Sequence, residues 1–522
     1  MKSKWRTVAL LGLGLVWGCA PAAVAPQDVN SHGDQKVVPQ GSGSPEALGV
    51  VAEDYWEAVY LQKSQIGFAH TQRERIEDNG QTLWRTTTTT HIELLRFGQR
   101  STQESTIESV ETDAGQLLRF TTTSDHGAAL VRSEGGVSNR QLTIKTIIGD
   151  QETVASIPWA GGNGGFDAVN KSLLRAPLQA GENRSITTLV PGLDQPTGAV
   201  VQLIAGDWQS TDLAGSSVQL LRIDAQHELA GGAMMNVVAW MNERGEIVKT
   251  EPAPGMFTVR TSAESAQRIQ QGDTQPDIGR DQMVRLAAPA GDLHRAKHVT
   301  YRVRLNDGDP VATFPAQRSQ QIAAADDPHV ATLTVIALRP DPTAEKDPAP
   351  AAAYLAANPL VQSDDARIRT LATQAIGDAR SDVEQAAAIE KFVHEYIQEV
   401  NFSQAFGTAV DVAESHRGDC TEHAVLLAAL ARASGIPARV AVGLVYTHSA
   451  KNAGCAFHMW DELYVAGQWI PYDATLGLGG IGGGHIKLSD SHLADGSALA
   501  SFLPVMQVMG SLSIEVVATD AP

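Results

Sequence analysis

Basic residues are scarce in this sequence, and so are aromatic residues and long apolar runs. The 40 lysines and arginines are outnumbered by 59 acidic residues, which gives a formal net charge of −19. This charge argues against a nucleic-acid-binding protein and offers no electrostatic attraction to anionic lipid. Aromatic residues make up 5% of the chain, but its hydrophobic fraction of 43% is that of an ordinary globular protein. Beyond the N-terminal region no apolar run is long enough for a transmembrane helix.

The N-terminus has the composition of a signal peptide. Three of its first six residues are basic, and the apolar stretch from Val8 to Trp17 is too short to cross a bilayer. Cys19 closely follows this stretch, and Val16-Trp17-Gly18-Cys19 resembles the end of a bacterial lipoprotein signal, so we expect cleavage before Cys19 and lipidation of its thiol. Ordinary cleavage around residues 20–25 is the alternative. Either reading predicts an exported protein of the cell envelope, and the first attaches it to a membrane through a lipid anchor only.

The 522 residues suffice for about three domains. Composition changes divide the chain into a signal peptide at 1–19, a flexible linker at 20–50, an antiparallel β-sheet region at 51–270, a small β segment at 285–340, a proline-rich linker at 341–352 and a catalytic domain at 353–522.

The β-sheet region alternates threonine, valine, isoleucine and aromatic residues with charged ones. Turn signals such as Asp78-Asn79-Gly80 separate the alternating stretches. This pattern predicts a large, twisted antiparallel sheet, and similar strand spacing suggests two related halves near 52–150 and 180–265. Such a sheet could contact a cell-envelope polymer or protein, or it could be a spacer.

A buried helix is predicted directly after Cys420. Apolar residues and alanines run nearly all round from Val425 to Ile436, and Pro437 prevents continuation. Asp419 is a good N-cap, so Cys420 falls in the first turn. There the unpaired N–H groups and the helix dipole favour a thiolate and could hold a developing oxyanion.

A β-hairpin is predicted after this helix. Two aromatic-rich stretches, Phe457 to Val465 and Trp469 to Tyr472, flank a short turn. His458 opens the first strand and Asp473 ends the second, so antiparallel pairing brings the two side by side. The aspartate can then fix the tautomer of the imidazole.

The order Cys420, His458, Asp473 offers a thiol nucleophile, its base and the residue that orients the base. Together with the Gly435-Ile436-Pro437-Ala438-Arg439 segment and the His-x-Trp-x-Glu strand, this arrangement resembles the core of the transglutaminase-like superfamily over about residues 355–480. The resemblance implies a papain-like, α+β fold in which the helix bearing the cysteine packs on an antiparallel sheet. Two positions depart from the commoner pattern, Met459 after the histidine and Ala474 after the aspartate.

The resemblance implies an exported thiol enzyme that acts on a peptide or carboxamide bond of a peptide or protein substrate. Superfamily members hydrolyse or cross-link, and among bacterial members a protease or amidase is the commoner outcome, so hydrolysis is favoured over amine cross-linking. The alternative is a catalytically inactive binding or scaffold protein whose β region contacts a cell-surface partner. A different reaction on the same fold, such as deglycosylation of glycopeptides or acyl transfer to an arylamine, is also open.

Two further expectations concern side chains near the triad. Cys455 lies three residues before His458, which raises the hypothesis that a Cys420–Cys455 disulfide blocks the nucleophile, although this spacing points Cys455 to the opposite face of the strand. Several other histidines, among them His423 and His485, lack metal-ligand spacing. We therefore expect neither a metal nor a cofactor.

Overall fold

The computed structural model describes residues 50–520 except 126, 128–129, 193–194, 214, 230–233, 254, 270–274, 307, 405, 449–452 and 495–496. The predicted signal peptide at 1–19, the lipidation site Cys19 and the linker up to residue 49 lie outside these residues. Strands predominate, and the longer helices follow residue 365, which agrees with an α+β protein.

A large antiparallel sheet occupies the region from residue 50 to 261. Its fourteen strands in the described residues are β1 (Val50–Leu61), β2 (Ser64–Asp78), β3 (Gln81–Arg96), β4 (Gln99–Glu111), β5 (Leu117–Asp125), β6 (Leu130–Ser138), β7 (Gln141–Ile148), β8 (Gln151–Pro158), β9 (Asn183–Val190), β10 (Thr197–Leu213), β11 (Ser216–Leu229), β12 (Met234–Met241), β13 (Ile247–Ala253) and β14 (Met256–Thr261). Across the sheet their order is β8 to β1 and then β14 to β9. Pairing of β1 with β14 therefore joins two meanders into one sheet, and α1 (Ala168–Arg175) connects the two edge strands.

A smaller sheet combines segments that are far apart in the chain. Its strands are β16 (His298–Leu305), β17 (Gln320–Ala324), β18 (Val330–Ile336) and β25 (Leu512–Thr519), in the order β17-β18-β16-β25. The C-terminal strand thus pairs with the segment predicted at 285–340, so residues 353–522 do not form a separate unit. Local periodicity carries no information on such a distant pairing.

The remaining elements form the helical part and its sheet. They are α2 (Ala263–Ala266), α3 (Ile278–Asp281), β15 (Val284–Arg285), α4 (Pro310–Thr313), α5 (Ala366–Ile376), α6 (Asp382–Tyr396), β19 (Glu399–Val400), α7 (Ala409–Ser415), β20 (Arg417–Gly418), α8 (Cys420–Ala433), β21 (Ala438–His448), β22 (Ala453–Val465), β23 (Gln468–Tyr472), β24 (His485–Ser491) and α9 (Ser497–Val508), besides a 3₁₀ turn at Ala352–Tyr354. The sheet runs β15-β22-β21-β24, with β23 beside β22, and β19 pairs in parallel with β20.

Helix α8 is the centre of this part. Every residue from Cys420 to Arg432 is buried, as its continuous apolar character predicts. Helices α5, α6 and α7 pack around α8, and its other side lies on β21 and β22. No helix among the described residues is long and apolar enough to span a membrane.

Candidate active site

The N-terminus of α8 is capped as the sequence predicts. Asp419 is the N-cap residue, and its Oδ1 accepts from the backbone N–H of Thr421 at 2.9 Å. Glu422 completes a capping box by accepting from the backbone N–H of Asp419 at 2.8 Å. Cys420 is therefore the first residue of the helix, where the dipole favours negative charge. The N–H of Thr421 is occupied by the cap, so the prediction that first-turn N–H groups hold an oxyanion does not extend to this one.

Gly418 allows the helix to start this close to the preceding chain. A Cβ atom added there would lie 2.2 Å from Cβ of Glu422, which is far inside a van der Waals contact. Any side chain at position 418 would displace Glu422 and with it the capping box. Burial raises the pKa of Glu422 to about 8, and the neighbouring Asp419 adds to the rise.

Arg96 reaches this cap from the end of strand β3 in the large sheet. Its guanidinium donates to Oδ2 of Asp419 at 2.5 Å and to the backbone carbonyl of Gln404. Both side chains of the Arg96–Asp419 pair are completely buried. A charge pair in such a place is fixed in position because separating it would leave a buried, unpaired charge. The large sheet therefore fixes the position of the residue that directly precedes Cys420. The sequence gives no local signal of this contact, because 323 residues separate its two partners.

The predicted hairpin is present as strands β22 and β23. Ala466 and Gly467 form its two-residue turn, both with positive φ, and Asp461 pairs with Tyr472. However, β22 begins at Ala453, so His458 lies in the middle of its strand, and the expectation that it opens the strand is wrong. Glycine and alanine at the start of β22 gave no strand signal, but pairing with β21 extends the strand to them.

The structure joins His458 and Asp473 by a hydrogen bond. Nε2 of His458 lies 2.8 Å from Oδ2 of Asp473. Burial alone would raise the pKa of Asp473, but the imidazoles of His458 and His485 hold it well below its ordinary value. The ionised aspartate only accepts, so Nε2 of His458 carries a proton. Nδ1 is then the basic nitrogen of the neutral ring, and it has no hydrogen-bond partner among the described residues.

His485 makes a second contact with the same carboxylate oxygen. It lies on β24, and its Nε2 is 2.9 Å from Oδ2 of Asp473. Burial lowers the pKa of His485 to about 4 although the hydrogen bond to Asp473 opposes this, so the ring is neutral at pH 7. The sequence predicts no role for His485, because only the pairing of β24 with the distant strand β21 brings this residue to Asp473.

Glu390 anchors the backbone around Asp473. Its carboxylate on α6 accepts from the N–H of Asp473 at 3.1 Å and from the N–H of Gly480 at 3.0 Å. Burial raises the pKa of Glu390 to about 7, against the lowering effect of these two N–H groups. The glycine-rich segment at 477–484 is therefore tied to the site at Gly480, while residues 477–479 are exposed.

Trp460 and Glu462 match the family pattern of the strand after His458, and both side chains make contacts inside the protein. The ring of Trp460 lies 6.2 Å from that of His458 and 5.3 Å from that of His485. Glu462 accepts from Arg439 and from Lys487, each at 2.6 Å. The tryptophan packs beside the two imidazoles, and the glutamate balances buried basic groups.

His458, Asp473 and His485 are also the group among the described residues that could hold a metal ion. Their ligand atoms all lie within 4.8 Å of one another. Two imidazoles and a carboxylate suit zinc or iron. The three ligand atoms are, however, already joined by hydrogen bonds of 2.8 and 2.9 Å, which favours a hydrogen-bonded His–Asp–His relay.

The hypothesis of a Cys420–Cys455 disulfide is wrong. Cys455 is a free, buried thiol, and burial raises its pKa to about 12. Cys455 on β22 pairs with Tyr446 on β21. Three residues separate Cys455 from His458, an odd number, so the two side chains lie on opposite faces of β22. Cys420 can act as a nucleophile only in its reduced form.

The comparison with protein families agrees with this geometry. Residues 369–474 match the family model of the transglutaminase-like superfamily, so the chain contains a transglutaminase-like domain. The match includes Cys420, His458 and Asp473. No curated protein sequence matches the chain.

Several solved structures are similar to part of this chain, among them two with related descriptions. A proposed cysteine protease from Cytophaga hutchinsonii is 19% identical and covers 43% of this chain and 89% of its own, with a TM-score of 0.28. The periplasmic domain of TgpA from Pseudomonas aeruginosa is also 19% identical and covers 36% of this chain and 78% of its own, with a TM-score of 0.25. Scores this low carry no argument about what this chain does.

Proposed function

We propose that this protein is a thiol enzyme that cleaves a peptide or carboxamide bond with Cys420, His458 and Asp473. One observation carries the proposal. Asp473 holds Nε2 of His458, which leaves Nδ1 as the basic nitrogen, and the strand bearing this ring packs on the helix that begins with Cys420.

The reaction follows from these roles. Nδ1 of His458 takes the proton of the reduced Cys420 thiol, and the sulfur forms a bond to the carbonyl carbon of the substrate. The resulting imidazolium returns the proton to the leaving amine as the C–N bond breaks. Water, deprotonated by the same ring, then attacks the thioester and releases the acid together with the free thiol. Asp473 stays ionised and stabilises the imidazolium in both halves of the reaction.

Hydrolysis is favoured over transfer to an amine on the family resemblance. Both outcomes share the acyl-enzyme and differ in whether water or an amine attacks it. A dry site with a bound amine favours transfer, and access of water favours hydrolysis.

The proposed place of action is the cell envelope. The N-terminal signal and Cys19 support export and a lipid anchor, with the body of the protein in the periplasm or outside the cell. Its partners there would be a peptide or protein substrate and, through the β region, an envelope polymer or protein. Incorporation of radiolabelled palmitate into the wild-type chain and its loss in Cys19→Ser would support the anchor, whereas equal labelling would contradict it.

The test of the reaction uses the full-length chain after treatment with a reductant. Fluorescent casein reports peptide-bond hydrolysis, and incorporation of monodansylcadaverine into unlabelled casein reports amine transfer. We expect hydrolysis to exceed incorporation and both to disappear in Cys420→Ala. Dominant incorporation would overturn the preference for hydrolysis, and a hydrolysis rate that survives Cys420→Ala would overturn the assigned nucleophile.

Burial of the site favours the second candidate, a catalytically inactive binding protein. Cys420, His458 and Asp473 expose at most 3% of their surface. An active site needs access for substrate, whereas a relic can remain closed. A folded, reduced chain that shows neither hydrolysis nor amine transfer on a panel of protein substrates would favour this candidate.

A further inference from the structure

A cavity of about 220 Å³ lies within the large sheet, and none of the proposed triad residues lines it. Its lining residues come from strands as distant as β4, with Ile107 and Ser109, and β9, with Thr188 and Leu189. Nine strand spacings separate β4 from β9, which is roughly 40 Å in a flat sheet. The sheet therefore curls round the cavity, and α1 contributes to the enclosure through Val169, Asn170 and Leu173.

The lining is divided between polar and apolar groups. Seven threonines on β2, β3, β9, β13 and β14 supply hydroxyl groups, and the two charged lining residues are the acids Glu57 and Asp167. Apolar side chains such as Phe166, Leu173 and Ile223 form the rest. No lysine or arginine belongs to the described lining, so the cavity is suited to an amphipathic molecule without negative charge.

Two buried polar atoms of the lining have no hydrogen-bond partner among the described residues. They are Oγ1 of Thr86 and Nδ1 of His227, on side chains that are 3% and 8% exposed. Four other lining threonines pair by their hydroxyl groups, Thr71 with Thr88 at 3.0 Å and Thr250 with Thr258 at 2.8 Å. Unsatisfied buried atoms are rare because each costs free energy, and a bound molecule is one way to satisfy them.

Glu57 gives the cavity a preference for a positively charged ligand. Burial raises the pKa of Glu57, which Arg260 and Thr258 partly oppose, and Asp167 adds to the rise. The side chain nevertheless keeps part of its surface accessible, because that surface faces the cavity. A cation placed there would stabilise the ionised form of Glu57 against both burial and the nearby Asp167.

We propose that this cavity binds a small amphipathic amine, with its ammonium group against Glu57 and Asp167 and its apolar part against Phe166, Leu173 and Ile223. This site is separate from the proposed triad, and the inference does not rest on the proposed reaction. It gives the β region a ligand of its own in place of a purely structural role.

Three ligands of equal chain length test the proposal on the full-length wild-type protein. Octylamine, 1-octanol and octanoate share an alkyl tail and differ in the charge of the head group, so isothermal titration calorimetry isolates the contribution of charge. We expect octylamine to bind at least about 10-fold more tightly than octanoate, with 1-octanol between them. Equal or tighter binding of octanoate, or no binding of any of the three, would overturn the proposal.

Matched substitutions locate the site. Glu57→Gln removes the charge and keeps the shape, so it should weaken octylamine at least about fivefold and leave 1-octanol within about twofold. Glu228→Gln removes an exposed carboxylate from strand β11 and should leave both ligands unchanged. An unchanged octylamine affinity in a folded Glu57→Gln chain would contradict the assignment. If this variant does not fold, the selectivity of the wild-type chain among the three ligands decides.

Discussion

The middle and the C-terminal end of strand β3 differ in how their polar groups are satisfied. In the middle of the strand Thr86, Thr88 and Thr90 line the cavity, and Oγ1 of Thr86 has no partner among the described residues. At the C-terminal end, on the same face by the two-residue period, Arg96 is completely buried and donates to Asp419 beside Cys420. Satisfied groups fix a geometry, as a reaction needs, whereas unsatisfied groups indicate space for a ligand. One strand therefore connects a fixed site to an open one.

The largest expected effect tests whether the chemistry belongs to Cys420 alone. Cys420→Ala should lower kcat/KM for the casein substrate by roughly 10³-fold or more, because it removes the nucleophile. The matched change Cys455→Ala removes a buried thiol on the opposite face of β22 and should leave kcat/KM within about threefold. Equal losses in both variants would break the assignment.

Breaking the contact between the two regions should cost the most stability. Arg96→Met keeps the length of the side chain but leaves Asp419 buried without its partner, which should lower the free energy of unfolding by about 3–5 kcal/mol. The control is Arg100→Met, since the side chain of Arg100 is 51% exposed in its pair with Glu93, and we expect a change within about 1 kcal/mol. Urea unfolding measures both. A loss no larger for Arg96→Met than for Arg100→Met would show that the contact does not hold the regions together.

Buried histidines in the two regions should make stability depend on pH. Burial lowers the pKa of His485 and of His227 to about 4. Because the folded state binds fewer protons than the unfolded state between about pH 4 and 6.5, each ring contributes stability that is complete above pH 6.5 and is lost as the pH falls towards 4. Each contribution is on the order of 2–4 kcal/mol.

Replacing His485 and His227 one at a time separates their contributions to stability. His485→Asn and His227→Asn should both flatten the fall in unfolding free energy between pH 7 and 5, as measured by urea titrations at several pH values. At pH 7 only His485→Asn should destabilise the protein, because His485 is hydrogen-bonded to Asp473 and Nδ1 of His227 has no partner among the described residues. An unchanged pH dependence in both variants would contradict the account of burial.

The smallest expected effect compares a glycine in each region. Gly418→Ala places a methyl group 2.2 Å from Cβ of Glu422 and should cost about 1–3 kcal/mol in thermal unfolding. Gly136→Ala on β6 meets nothing within 4 Å, so it should be neutral or stabilise by about 0.4–1 kcal/mol. Reversed signs would show that the cap tolerates a side chain and the sheet does not.

Features that depend on neighbours in the chain could be predicted from the sequence. The N-cap at Asp419 and the short hairpin turn, formed by Ala466 and Gly467, each depend on residues within a few positions, and the structure has both. The burial of α8 was likewise predicted, because a helix that is apolar nearly all round is typically buried.

Contacts between strands or charged side chains from distant parts of the chain could not be predicted from the sequence. The pairing of β25 with β16, the approach of His485 to Asp473 and the contact of Arg96 with Asp419 have no local signal, since each partner has the character of an ordinary strand residue. The start of β22 was missed for the same reason, because pairing with β21 outweighs the weak strand propensity of glycine and alanine.

The central claim is that His458 activates Cys420, and the pH dependence of thiol alkylation tests it most directly. The reduced full-length chain is treated with iodoacetamide across a pH series, and the labelled peptide containing Cys420 is quantified by mass spectrometry, in the wild type and in His458→Ala. We predict a half-maximal rate below about pH 7.5 in the wild type, shifted to about pH 8.5 or above in the variant. A wild-type midpoint at or above that of an ordinary thiol, unchanged in His458→Ala, would contradict the claim.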